Sequence, residues 1–134
     1  MIAAVVIVLV SIIPALMLGE VIADWRRLAK WMRRRSPVDD TQFVTALGTV
    51  NASKESVLRV RQEIARATKI PAEWISANDQ IQELERVGRT THSSVLDYFT
   101  DLLFVGDPKD ESALITVRDF VIRFAPQLKE PLKT

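Results

Sequence analysis

The stretch Ser53-Lys54-Glu55-Ser56-Val57-Leu58-Arg59-Val60-Arg61-Gln62-Glu63-Ile64-Ala65-Arg66-Ala67-Thr68 carries the clearest structural signal in this chain. Val57, Val60, Ile64 and Ala67 recur at three- and four-residue spacing, and Leu58 and Ala65 widen the stripe. That period belongs to a helix rather than a strand. Ser53 stands where an N-cap belongs. Glu55, Arg59 and Glu63 fall on the outer face, Glu55–Arg59 as an i,i+4 ion-pair arrangement. The helix ends near Thr68-Lys69, because the residue before Pro71 is pushed into an extended conformation.

Toward the C-terminus, Pro71 opens a short helical turn to Ile75 that points Trp74 and Ile75 inward. Ser76 to Val87 reads as a loop anchored by Ile81 and Leu84, and Gly88 permits a sharp change of direction. Thr91 or Ser93 caps a second helix whose apolar face is Val95, Leu96, Phe99, Leu102 and Leu103. Gly106-Asp107-Pro108 ends it. A final helix runs from about Thr116 to Phe124, with Val117, Phe120, Val121 and Phe124 inward and Asp119–Arg123 as an outward i,i+4 pair. Pro126 stops it. The polar tail from Gln127 to Thr134 reads as frayed. No strand alternation interrupts this series, so the fold class is all-α: a small bundle of three main helices with one short extra helix.

In this order the pieces resemble the acyl carrier proteins over about residues 53–124. Val57-Leu58-Arg59-Val60-Arg61-Gln62-Glu63-Ile64-Ala65, then Ile70-Pro71-Ala72-Glu73-Trp74-Ile75, then Asp79-Gln80-Ile81-Gln82-Glu83-Leu84 are similar to that family's first half. Ile115-Thr116-Val117-Arg118-Asp119-Phe120-Val121 is similar to its closing helix, whose Thr is a cap. The resemblance implies a phosphopantetheine arm on a Ser within a Gly-x-Asp-Ser-Leu motif, loaded by a separate transferase. Here the matching region reads Gly88-Arg89-Thr90-Thr91-His92-Ser93-Ser94-Val95-Leu96. Ser93 and Ser94 are the attachment candidates, but the Asp before the Ser is missing and Arg89 and His92 intrude. Plain N-capping by Ser93 or Thr91 is the competing role. The second helix is acidic in the family, whereas this one offers only Asp97 and Asp101.

N-terminal to this domain, Ile2 to Gly19 holds no charged residue, and Val21, Ile22 and Ala23 continue the apolar run past Glu20. This length and composition predict a transmembrane helix over residues 1–24, with Pro14 as a kink. A basic juxtamembrane helix and linker follow over 25–52, the helical domain over 53–126, and the tail over 127–134. Trp25 and Trp31 suit a membrane interface, and Arg26, Arg27, Lys30, Arg33, Arg34 and Arg35 suit its surface. The same basic cluster also serves as a topology signal, placing the C-terminal side in the cytoplasm. Ser36-Pro37 breaks the basic helix. Asp39 or Asp40 then caps a short helix from Thr41 to Leu47 that Gly48 stops. Phe43, Val44 and Leu47 either dock on the domain or belong to a tether.

Charge and composition remove several function classes. Residues 36–134 carry twelve Lys or Arg against fifteen Asp or Glu. This mildly acidic domain argues against nucleic acid as a partner. With no Cys and one histidine, His92, the chain lacks the donors of a zinc or Cys–His site. Ser93 beside His92 lacks the geometry of a catalytic relay. Four glycines are too few for a phosphate-cradling loop. The sequon Asn51-Ala52-Ser53 would go unused on a cytoplasmic face. The expectation is therefore a non-enzyme: a membrane-anchored, carrier-like domain without the arm, acting as a protein-docking module beside a membrane-associated enzyme. No metal or other cofactor is expected. Two alternatives are a working carrier loaded with phosphopantetheine at Ser93 or Ser94, and a small single-pass accessory subunit of a membrane complex.

Overall fold

The computed structural model describes residues 2–90, 94–103 and 113–128, the side chains at 8, 9, 11 and 13 excepted. Its helices are α1 (Ile2–Arg33), α2 (Asp40–Leu47), α3 (Lys54–Thr68), α4 (Ile81–Val87), α5 (Val95–Leu103) and α6 (Val117–Phe124). Short 3-10 turns stand at Ala72–Trp74 and Ala125–Gln127.

The core forms where α3, α5 and α6 meet. Val57, Val60, Ile64 and Ala67 of α3 are buried, as their spacing requires. They face Val95, Leu96 and Phe99 of α5 and Val117, Phe120, Val121 and Phe124 of α6. Phe99 stacks on Phe124 with ring centres 5.0 Å apart and meets Phe120 edge-on at 5.6 Å. Aromatic pairs of this geometry add about 0.5–1.5 kcal/mol beyond the area they bury. Leu128, within the expected frayed tail, is buried, and its carbonyl accepts a hydrogen bond from Ser56 Oγ at 2.9 Å.

Local chemistry sets the helix ends. Ser53 Oγ accepts the Ser56 N–H at 3.2 Å, and Lys69 adopts the left-handed conformation (φ 61°) at the other end of α3. Thr116 and Asp119 form a reciprocal capping box on α6. Asp119 Oδ2 accepts the N–H groups of Thr116 at 2.9 Å and Ile115 at 3.0 Å. The carboxylate expected to pair outward with Arg123 therefore turns back onto its own helix start. Burial alone would raise the Asp119 pKa. These hydrogen bonds and the nearby Arg118 outweigh that and hold it below its ordinary value.

Several expectations need correcting. Ile81–Val87 is a helix rather than a loop, with Ile81, Leu84 and Val87 buried at three-residue spacing. Gly88 is there for space, not for turning. Its φ is −82°, and an added Cβ would lie 2.2 Å from the Thr68 carbonyl oxygen. Glu63 is buried rather than on an outer face. It accepts from Tyr98 Oη at 2.5 Å and pairs with Arg66 at 2.7 Å. Thr91, Ser93 and the Gly106-Asp107-Pro108 stop lie outside the described residues.

The segment between α1 and α3 packs on the domain. Phe43 and Leu47 are buried, and Asp39 forms a capping box with Gln42 on α2. Arg61, buried on α3, reaches back to fix this segment. Its Nε donates to the Ile75 carbonyl at 3.1 Å, and its terminal nitrogens donate to the Val38 carbonyl at 2.5 Å and Asp40 Oδ1 at 3.2 Å. Its guanidinium lies 4.6 Å from the Phe43 ring centre. Arg118 of α6 holds the other end of α2 through the Ala46 and Leu47 carbonyls.

The transmembrane expectation is also corrected. Among the described residues, no helix is long and apolar enough to cross a membrane. The uncharged part of α1, Ile2 to Gly19, rises about 27 Å at 1.5 Å per residue, short of the roughly 30 Å hydrocarbon core. Glu20 closes it, and Asp24, Arg26, Arg27, Lys30 and Arg33 follow in the same unbroken helix. The single-pass placement and the cytoplasmic orientation drawn from it fall with the span. The C-terminal part of α1 belongs to the folded unit. Leu28 is buried, and Trp31 and Met32 pack against the core. Arg27 donates to the Arg86 carbonyl at 3.1 Å.

Candidate functional site

The N-terminus of α5 lies beside α4 and the segment leading into α6. Asp79 organises this region. Its Oδ2 accepts the Ser76 N–H at 2.7 Å, and its other oxygen accepts from Arg35. Its backbone carbonyl accepts the Val117 N–H at 2.9 Å, and the Ile81 N–H donates to the Ile115 carbonyl at 2.9 Å. Gln80 and Thr116 thereby form an isolated antiparallel bridge. This pins the start of α4 to the start of α6 and opens a groove of about 640 Å³ between them and α5. Ile81, Leu96, Leu114 and Phe120 give it apolar walls, while Gln80, Gln82, Glu85 and Ser94 edge it.

Of the two serine candidates, Ser94 is on this groove, half-buried at its lip. Ser93 and its neighbour His92 lie outside the described residues. Ser94 Oγ accepts the Asp97 N–H at 3.1 Å, so Ser94 is the N-cap of α5. The Val95 N–H donates to Glu85 Oε1 at 3.1 Å. A helix N-terminus offers its free N–H groups to an anion. Here two of those groups are already taken, one of them by a carboxylate. A phosphodiester on Ser94 would have to compete with Glu85 for the same positive end. Glu85 was not singled out from the sequence. Its separation of ten positions from Val95 is set by the 88–94 connection, which no periodic pattern encodes.

On the opposite side of α5, Tyr98 bonds to Glu63. Burial pushes the phenol up to about 12, and the adjacent carboxylate works in the same direction. The proton therefore stays on Tyr98 at neutral pH, in a role that holds α5 to α3. Among the described residues, no group of three or more His, Cys, Asp or Glu converges as a metal site.

The residues expected at a membrane surface separate in space. Trp25 is 66% exposed. Trp31 is half-buried, with the Arg35 guanidinium 4.1 Å from its ring centre. Arg35 is engaged by Asp79 and Ser76. Arg27, Lys30 and Arg34 face α4, whereas Arg33 lines a separate cleft with Met32 and Trp74. Arg26 stands one heptad from Arg33 on the same helix.

No family model matches the chain, and neither a curated protein nor a solved structure matches it at a significant level.

Proposed function

We propose that this chain is a carrier-like helical module that bears no phosphopantetheine arm and works by docking a protein partner. The observation that carries this reading is the start of α5. Ser94 caps the helix, Glu85 holds the next amide, and no Asp precedes the serine. The order of the described helices is in keeping with the carrier resemblance, as is Thr116 in its capping box. What remains at the would-be attachment point is a groove with apolar walls and a polar edge, suited to a side chain or turn of another protein. A working carrier is the second reading, because Ser94 does reach the groove.

Photo-crosslinking tests the docking reading. A benzophenone amino acid at Gln82, exposed on the groove edge, should capture a discrete protein from the native cell. The same probe at Gln62, exposed on α3, should not. Identical capture from both positions, or none from Gln82, would count against the groove as a docking surface.

A further inference from the structure

The basic stretch that the sequence presents as one cluster is divided by the fold. Arg27 and Lys30 of α1 and Arg34, the residue just past its end, face α4, where Arg86 joins them. Between them is a groove of about 460 Å³, bounded also by Trp31, Arg35 and Val87. Glu83 is the one carboxylate among its lining residues, and it pairs with Arg86 at a loose 3.8 Å with both side chains well exposed. Arg35 is committed to Asp79, and Arg27 to a backbone carbonyl. The side chains of Lys30 and Arg34 are exposed, with no ion pair or hydrogen bond among the described residues. Cations gathered this way repel one another, and an anion with several oxygens relieves that repulsion while satisfying their donors.

The exposed surface of α1 ahead of the groove narrows the choice of anion. Ile22 and Trp25, earlier on the same helix, are exposed at 43% and 66%, Trp25 beside the neighbouring cleft of Met32, Arg33 and Trp74. An indole beside exposed aliphatic surface suits the water–lipid boundary. A small soluble phosphate has no use for such a surface. We propose that this groove seats phosphate headgroups of an anionic phospholipid surface, with Lys30 and Arg34 as its free cations and Arg27 and Arg86 as its walls. The contact is made at the surface and needs no span. It is independent of the docking reading, since it uses the opposite edge of α4.

Co-sedimentation of the full chain with vesicles tests it. Vesicles of phosphatidylcholine containing a quarter phosphatidylserine should bind the chain, and vesicles of phosphatidylcholine alone should bind it much less. Lys30→Gln with Arg34→Gln should weaken binding about thirtyfold, equivalent to about 1 kcal/mol for each basic residue lost. Arg26→Gln with Arg33→Gln, the same charge change at residues of α1 that do not line the groove, should weaken it less than about threefold. All four side chains are exposed, so matching far-UV circular dichroism spectra check that both variants keep the fold. Equal losses from the two pairs, no loss from Lys30 and Arg34, or equal binding to both vesicle types would overturn the proposal. So would displacement from the vesicles by millimolar inorganic phosphate at constant ionic strength, which would make a soluble phosphate the ligand.

Discussion

Replacing Arg61 probes the packing that makes residues 38–47 part of the domain. Arg61 is 2% exposed, and its partners differ in what they lose with it. The Ile75 carbonyl belongs to a fully buried residue and would be left without this donor. The Val38 carbonyl is partly buried, and Asp40 is 69% exposed at its side chain. An orphaned buried acceptor costs about 1–3 kcal/mol, while an exposed ion-pair partner contributes about 0–1 kcal/mol. The Arg61 guanidinium also lies over the buried Phe43 ring, so truncation adds a cavity. Together these place Arg61→Ala at about 3–5 kcal/mol of lost stability, against a total of about 5–15 kcal/mol for a domain. Arg61→Lys keeps the charge but not the fork of donors and should lose about 1–3 kcal/mol. Asp40→Asn should lose less than about 1 kcal/mol, because water already screens that carboxylate. Urea unfolding followed by far-UV circular dichroism measures all three. A loss below about 1 kcal/mol for Arg61→Ala would refute the reasoning and show the linker to be a tether.

Gly88→Ala should destabilise by about 1–3 kcal/mol in the same assay, because its Cβ would meet the Thr68 carbonyl oxygen although its φ suits alanine. Tyr98 is the one tyrosine, so tyrosinate absorbance reads it directly; its midpoint should lie at about 12 in the folded chain. Its folded pKa is raised, so its contribution to stability is full below the unfolded value of about 10 and is lost as pH rises through the folded value. Glu63→Gln should bring that midpoint down. Asp119 has a lowered folded pKa, so its contribution is present above the unfolded carboxylate value and disappears as pH falls through the folded one. Asp119→Asn should therefore flatten the acid limb of a stability–pH curve.

The α3 stripe was legible because Val57, Val60, Ile64 and Ala67 make one face by spacing alone. Glu63 was not, because its burial depends on Tyr98, thirty-five positions away, which satisfies its carboxylate. Arg61 likewise looks like a solvated residue until the chain folds back over it. Helix α4 is short, and its Ile81, Leu84 and Val87 gave too little periodicity to distinguish a helix from an anchored loop. Asp119 had two local choices, an outward partner four residues on or its own helix start, and the free N–H groups there won. In α1 apolar composition suggested a span. The uncharged stretch is too short for one, and the helix continues through charged residues into contact with the domain. At the groove, Ser94 was legible as a candidate from its place before an apolar face. That Glu85 shares the helix end with it was not, since this follows from how α4 and α5 are set side by side.

Intact mass of the full chain after co-expression with phosphopantetheinyl transferases of broad specificity bears most directly on the role of this groove. An unchanged mass with every transferase is the expected result, with Ser94 remaining the cap of α5. A mass increase of one phosphopantetheine, abolished by Ser94→Ala or Ser93→Ala, would contradict the armless reading and make the chain a working carrier.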